Sequence, residues 1–201
     1  MKNFFKRNAH YGVVLAILIG SLYLTGSRLH FEEMPDVRSR VLALFTDVPD
    51  GYVKVVGSAD GDTLHVLIDG KEETVRLLGV DTPETKDPRK SVQCFGQAAS
   101  SYTKLLVTGR AVKLHSDPMQ TDRDKYGRLL RYVEFEDGTS LNERLVYEGY
   151  AFAYEAYPDS KLEYFKKLES DARANKRGLW GNCEVSIKNK GKTKSTNPVK
   201  E

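Results

Sequence analysis

The sequence predicts an α+β fold of five short strands and three helices, preceded by one N-terminal hydrophobic helix. Three observations carry that expectation. Residues 52–80, 111–115 and 129–135 alternate apolar and polar side chains at the period of a strand. Segments 96–107, 141–148 and 162–174 carry apolar residues at helical spacing and stop near glycines. An uncharged run from Asn8 to Ser27 follows Lys2, Lys6 and Arg7. A chain of 201 residues makes one ordinary domain with shorter extra pieces, too little for two full enzyme domains. With 40% hydrophobic and 29% charged residues, it is neither a disordered nor a polytopic membrane protein.

At the N-terminus, the centre Tyr11–Leu24 is strongly apolar. About 20 helical residues span about 30 Å, a bilayer core. Two readings of residues 1–27 fit: an uncleaved transmembrane anchor, or a signal peptide with a basic n-region. The small residues at Thr25-Gly26-Ser27 make a poor cleavage site. Either reading places the rest of the chain outside the cytoplasm, as a single-pass N-in protein or a secreted one. Residues 28–50 form a connector, in which Val37, Val41 and Leu44 allow a short amphipathic helix.

The folded domain is expected over residues 51–183. Its strands are Tyr52–Ser58, Thr63–Ile68, Thr74–Val80, Ala111–His115 and Leu129–Phe135. Asp69-Gly70 is a hairpin turn signal. A two-residue loop there pairs Ile68 with Lys71 and sets Asp62 opposite Leu77, one place from Arg76. A slip of one residue would reverse every face. The helices at 141 and 162 follow the capping-box patterns Ser140-x-x-Glu143 and Ser160-x-x-Glu163. This order suits a small Greek-key β-barrel of the OB type with three packed helices; the periodicities alone require only a five-stranded sheet. The tail 184–201 has five lysines and no apolar period, and is expected to be disordered.

Charge is uneven. The net charge is +3, and the excess lies at the two ends, which leaves the 51–183 domain near neutral. Global charge is therefore weak support for a polyanionic partner. Cys94 and Cys183 are far apart in sequence, and no CxxC or Cys/His cluster exists, which argues against a structural zinc site. One disulfide fits an oxidising compartment.

Four short pieces hold unusual chemistry: Asp60-Gly-Asp62-Thr63, Arg76–Glu84, Pro88-Arg89-Lys90 and Asp124-Lys125-Tyr126-Gly127-Arg128. Phosphodiester hydrolysis needs fixed positive charge on the transition state, best from planar guanidinium forks. It profits from a hard cation on oxygen ligands and from a carboxylate acting on water. Arg76, Arg128, Asp62, Asp81 and Glu84 make that set. Each piece alone has a plain structural explanation as a turn, an exposed strand arginine or a helix cap.

The motifs DGDT, RLLGVDTPE and DKYGR, closed by GLW at Gly178-Leu-Trp180, resemble the thermonuclease, or staphylococcal nuclease-like, family in order and spacing. The resemblance covers roughly Val53–Trp180. It implies an OB-fold barrel with three helices and a calcium-dependent endonuclease acting on DNA and RNA. By that likeness Asp62, Asp81 and the carbonyl of Thr82 are Ca2+ ligands, and Arg76 and Arg128 stabilise the transition state. Glu84 acts on the attacking water. Lys90, Lys125 and Tyr126 match positions near the nucleotide's phosphate and sugar. Tyr154, rather than Tyr157, is the expected base contact, although AFAYEAYPD departs from the family's best-known spacing.

In the resembled fold the regions around Cys94 and Cys183 lie close together, so the likeness permits a disulfide between them. The best-known secreted members lack both cysteines. The competing functional reading is a tethered OB module that binds nucleic acid or protein without catalysis; degenerate domains lose an Arg, the Glu or a metal Asp, and this chain keeps all five. A monomer is expected, with the membrane contacted through the N-terminal segment and no protein partner inferred.

Overall fold

The computed structural model describes residues 48–85 and 91–199. The predicted N-terminal helix, most of the connector and Lys90 lie outside the described residues. Among the described residues no helix is long and apolar enough to cross a membrane.

Five strands close a barrel: β1 (Val53–Ser58), β2 (Thr63–Ile68), β3 (Lys71–Leu77), β5 (Ala111–His115) and β6 (Leu129–Phe135), in the order β1-β2-β3-β6-β5. β1 pairs again with β5, and β3–β6 is the parallel pair. Val55, Leu64, Val66, Val75, Leu77, Val112, Val133 and Phe135 are buried. They are the alternate positions that the period-two pattern marks. Asp69 and Gly70 both have positive φ, 51° and 77°, as a two-residue hairpin turn twisted to match its strands requires. Ile68 accordingly pairs with Lys71, and Thr63 with Arg76.

The third strand ends earlier than the sequence predicts. It stops at Leu77, and after Leu78-Gly79 the chain resumes as a two-residue strand, β4 (Val80–Asp81), paired with β7 (Phe152–Ala153). Gly79 has φ +71°, and a Cβ there would lie 2.4 Å from the Phe165 ring. Only glycine fits both the turn and the ring.

The helices are α1 (Gly96–Val107), α2 (Leu141–Tyr147) and α3 (Leu162–Ala174), followed by one turn, α4 (Leu179–Asn182). Ser140 caps α2 by accepting from the Glu143 amide at 3.3 Å. The Glu143 carboxylate turns away to Lys161 and Tyr164, joining α2 to α3. Asn142 is fully buried. Its Nδ2 donates to the Leu78 carbonyl, and its Oδ1 accepts from the Val133 amide, which fastens α2 to the end of β3. The second capping box does not form. α3 begins after Lys161, and the Ser160 amide and hydroxyl both donate to Asp117. Asp117 is a buried carboxylate that also accepts from Tyr132; a buried charge collects donors more strongly than a helix end does.

The C-terminal segment corrects a second expectation. The predicted disordered tail contains a hairpin, β8 (Val185–Lys188) and β9 (Thr193–Thr196), joined through a 3-10 turn. Its lysine at 194 is 5% exposed and ion-paired to Glu155 and Glu169, 2.7 Å from each. The folded unit therefore runs past Cys183 to Val199. Cys94 and Cys183 are joined by a disulfide.

Candidate active site

The site is built where the ends of β2 and β3 meet the turn after Gly79. Arg76 is nearly enclosed, with its side chain 13% exposed. Its Nη1 donates to the carbonyls of Leu77 and Val80, each at 2.8 Å. Its Nη2 lies 3.2 Å from both Asp62 Oδ2 and Asp81 Oδ1. Burial opposes the charged form, but Asp62, Asp81 and Asp60 outweigh it and hold the guanidinium pKa above its ordinary value. A fork whose two terminal nitrogens are both held is oriented before any ligand arrives.

Asp62 is the hub of the acidic side. Its Oδ2 accepts from the Thr82 amide at 3.0 Å and the Thr82 hydroxyl at 3.1 Å. The Asp60-Gly61-Asp62 loop lies so close to Thr82 that a Cβ on Gly61 would come within 2.7 Å of it. Thr103 of α1 donates to the Gly61 carbonyl at 2.7 Å, tying that helix to the loop. Asp60 is pushed above the ordinary carboxylate range, first by burial and then by the Asp62 charge.

Asp60, Asp62 and Asp81 all act on one guanidinium, so negative charge remains in excess. That excess and the hard oxygen donors of Asp62, Asp81 and the Thr82 carbonyl fit a hard cation. Among the described residues no group of three His, Cys, Asp or Glu side chains forms a ready-made cage. The fit thus involves two carboxylates and a backbone oxygen.

Beside this cluster opens a cleft of about 450 Å³, lined by residues that include Arg76, Lys125, Tyr126, Arg128, Tyr154 and Tyr157. Asp124 holds Arg128 from below: its Oδ2 accepts from the Arg128 Nε at 2.7 Å, and its Oδ1 accepts from the Arg128 amide at 3.0 Å. Burial alone would raise the Asp124 carboxyl, yet these bonds hold it below its ordinary value. The Tyr126 ring, largely exposed, faces both Lys125 and Arg128 at 5.0 and 5.4 Å. The Tyr154 ring lies 5.6 Å from the Arg76 guanidinium and 6.0 Å from the Tyr157 ring. Burial, then Asp81, keeps the Tyr154 phenol protonated above its ordinary pKa.

Of the residues expected from sequence, Arg76, Arg128, Lys125, Tyr126 and Tyr154 share the cleft, and Tyr157 shares it too. Asp62, Asp81 and Thr82 cluster behind Arg76. Glu84 is not in the cleft lining. Its amide donates to Gln93 Oε1 at 2.8 Å, and its Oε1 accepts from the Thr85 amide at 2.9 Å. Three contributors escaped the sequence reading: Asp60, Asp124 and Gln93. The first two stand inside motifs already singled out, and the i,i+4 spacing of Asp124 and Arg128 was a usable signal. Gln93 had none, because its role is a contact made across a loop.

A closed five-stranded barrel that carries a clamped arginine beside paired carboxylates, with a second arginine lining the same cleft, defines a protein of the OB type. The sequence model described as Staphylococcal nuclease homologue matches residues 74–182. This chain belongs to that family. It is 46% identical over 123 residues to Endonuclease YncB of Bacillus subtilis (strain 168), covering 60% of this chain and 57% of the relative. It is 45% identical over 125 residues to the SPbeta prophage-derived endonuclease YokF of the same organism, covering 61% and 42%. With the Thermonuclease of Staphylococcus hyicus the identity is 39% over 130 residues, covering 64% and 75%. The chain thus spans about half the length of the two Bacillus relatives.

Proposed function

We propose that this protein is a calcium-dependent endonuclease that hydrolyses phosphodiester bonds of DNA and RNA. The observation that carries the reading is Arg76 and Arg128 opening into one cleft, each held by carboxylates that keep it oriented. Support comes also from the family and from relatives named endonuclease and thermonuclease.

In this reading the two guanidiniums bind the scissile phosphate and stabilise the charge that grows on its oxygens as water attacks. Their preset orientation reduces the reorganisation needed at the transition state. Glu84 orients the water or takes its proton. A calcium ion held by Asp62, Asp81 and the Thr82 carbonyl would supply Lewis-acid polarisation of a non-bridging oxygen. Lys125 and Tyr126 contact the phosphate and sugar, and Tyr154 contacts the base. Residues 1–27 hold the domain outside the cytoplasm, as an anchor or a removed signal; the Cys94–Cys183 disulfide supports an oxidising compartment. The protein acts as a monomer.

The test is digestion of single-stranded DNA and RNA by the full chain, with calcium and with a chelator. Cleavage with calcium that stops on chelation is expected, and Glu84→Gln should lose rate while keeping much of the nucleotide affinity. Binding without cleavage under both conditions would establish the non-catalytic OB module instead.

A further inference from the structure

The hairpin β8–β9 lies beyond residue 182, where the family match ends, yet it is fastened to both sides of the candidate site. One attachment is ionic. Lys194 Nζ reaches Glu155 at 2.7 Å and Glu169 at 2.7 Å, and donates to the Ala153 carbonyl at 3.1 Å. Glu169 also accepts from the Ala153 amide at 3.0 Å. The buried ammonium therefore pins residues 153–155 to α3, and Tyr154 stands in the middle of that stretch. Without the ammonium, two largely buried carboxylates lose their shared ion pair, and the segment holding Tyr154 loosens from α3.

The other attachment is backbone. The Cys94 amide donates to the Asn197 carbonyl at 2.8 Å, the Thr196 hydroxyl to the Cys94 carbonyl at 2.7 Å, and the Val199 amide to the Val92 carbonyl at 2.9 Å. Gln93 lies between these bonds and bridges to Pro198. Its own amide donates to the Glu84 carbonyl at 2.9 Å while its side chain accepts from the Glu84 amide at 2.8 Å. The backbone of Glu84 is thus held from both directions by a residue that the hairpin edge holds in turn.

We infer that the C-terminal hairpin is a clamp on the active site, with Lys194 positioning Tyr154 and the 196–199 edge positioning Glu84 through Gln93. Lys194 and Gln93 are positioning residues that touch no substrate. The two arms separate in kinetics: the Tyr154 arm acts on binding, the Glu84 arm on turnover. The kinetic part rests on the nuclease reading; the mechanical part does not.

The experiment uses the full chain, at a temperature where circular dichroism shows each variant folded. Lys194→Met should weaken thymidine 5′-phosphate binding and raise KM for single-stranded DNA by about tenfold, with kcat within about threefold. Gln93→Leu should lower kcat by about tenfold and leave thymidine 5′-phosphate affinity unchanged. Unchanged kinetics in both, or the two patterns exchanged, overturn the clamp. Should the variants fail to fold, hydrogen exchange of the wild-type chain decides. Thymidine 5′-phosphate should slow the Cys94 and Val199 amides by about tenfold, because coupling between two sites is reciprocal. Unchanged exchange at both amides overturns the inference. A wild-type chain that shows this protection but cleaves no DNA keeps the clamp and overturns only the nuclease reading.

Discussion

Asp62 stands immediately before β2, one place from the Thr63–Arg76 pair, and the arginine Nη2 lies 3.2 Å from the aspartate Oδ2. The same oxygen takes both donors of Thr82, and the same guanidinium takes the carbonyls of Leu77 and Val80. One ion pair thereby locks the end of β3, the turn after Gly79 and the acidic loop together. The arginine proposed to bind phosphate and the candidate metal ligands share a single support.

Lysine in place of either arginine tests the need for the fork. Arg76→Lys keeps the charge but cannot serve two carbonyls and two carboxylates in one plane. Arg128→Lys loses the paired contact with Asp124. Both should lower kcat/KM on single-stranded DNA by about two to four orders of magnitude. Near-wild-type rates for Arg128→Lys would remove it from the site.

The proposed calcium site predicts that calcium raises the Tm of the full chain, since an ion bound to the native acidic cluster and not to the unfolded chain stabilises the fold. A chelator should reverse the shift, and Asp62→Ala should abolish it. Zinc should give far less, since the donor set is all hard oxygen. A calcium shift that survives in Asp62→Ala would place the ion elsewhere.

Acid should loosen the Arg128 loop through Asp124. Its carboxyl is held below the ordinary value of 3.8, chiefly by bonds to Arg128 that outweigh burial. The unfolded chain binds this proton first as the pH falls. The contribution is therefore complete above the ordinary value, and is lost as the pH falls through the lower native one. Thermal melts between about pH 5 and about pH 2 should show a stability loss that is smaller in Asp124→Asn. Identical slopes in the two proteins would contradict the assignment.

The disulfide closes a long loop, with a sequence separation of 89. Reduction should lower stability, by up to about 4–5 kcal/mol if chain entropy alone acts. Denaturant melts with and without reductant measure it, and mass mapping of the protein from its native host under non-reducing conditions locates the bond. Two free thiols in that protein would also argue against an oxidising location.

Local rules made much of the fold legible before any coordinates. The Asp69-Gly70 turn set the β2–β3 register, alternation marked the barrel core, and Ser140 marked the start of α2. These signals act within a few residues, so the sequence alone determined the five barrel strands apart from the end of the third, the three main helices and the nearness of Asp62 to Arg76. The family motifs added Arg128, which now shares the cleft with Arg76.

Tertiary structure decided whatever depended on a distant partner. Ser160 reads as a helix cap, but a buried carboxylate at Asp117 takes its donors. Residues 74–80 read as one strand, but Phe165 from α3 occupies the space beside Gly79 and the chain turns there. The tail reads as solvated because it holds lysines without an apolar period. It is ordered by other means: Lys194 is buried through charge, between Glu155 and Glu169, and the backbone of 196–199 pairs with 92–94. An apolar stripe announces burial in the sequence itself. Burial by ion pairing and backbone pairing announces nothing until the fold brings the partners together.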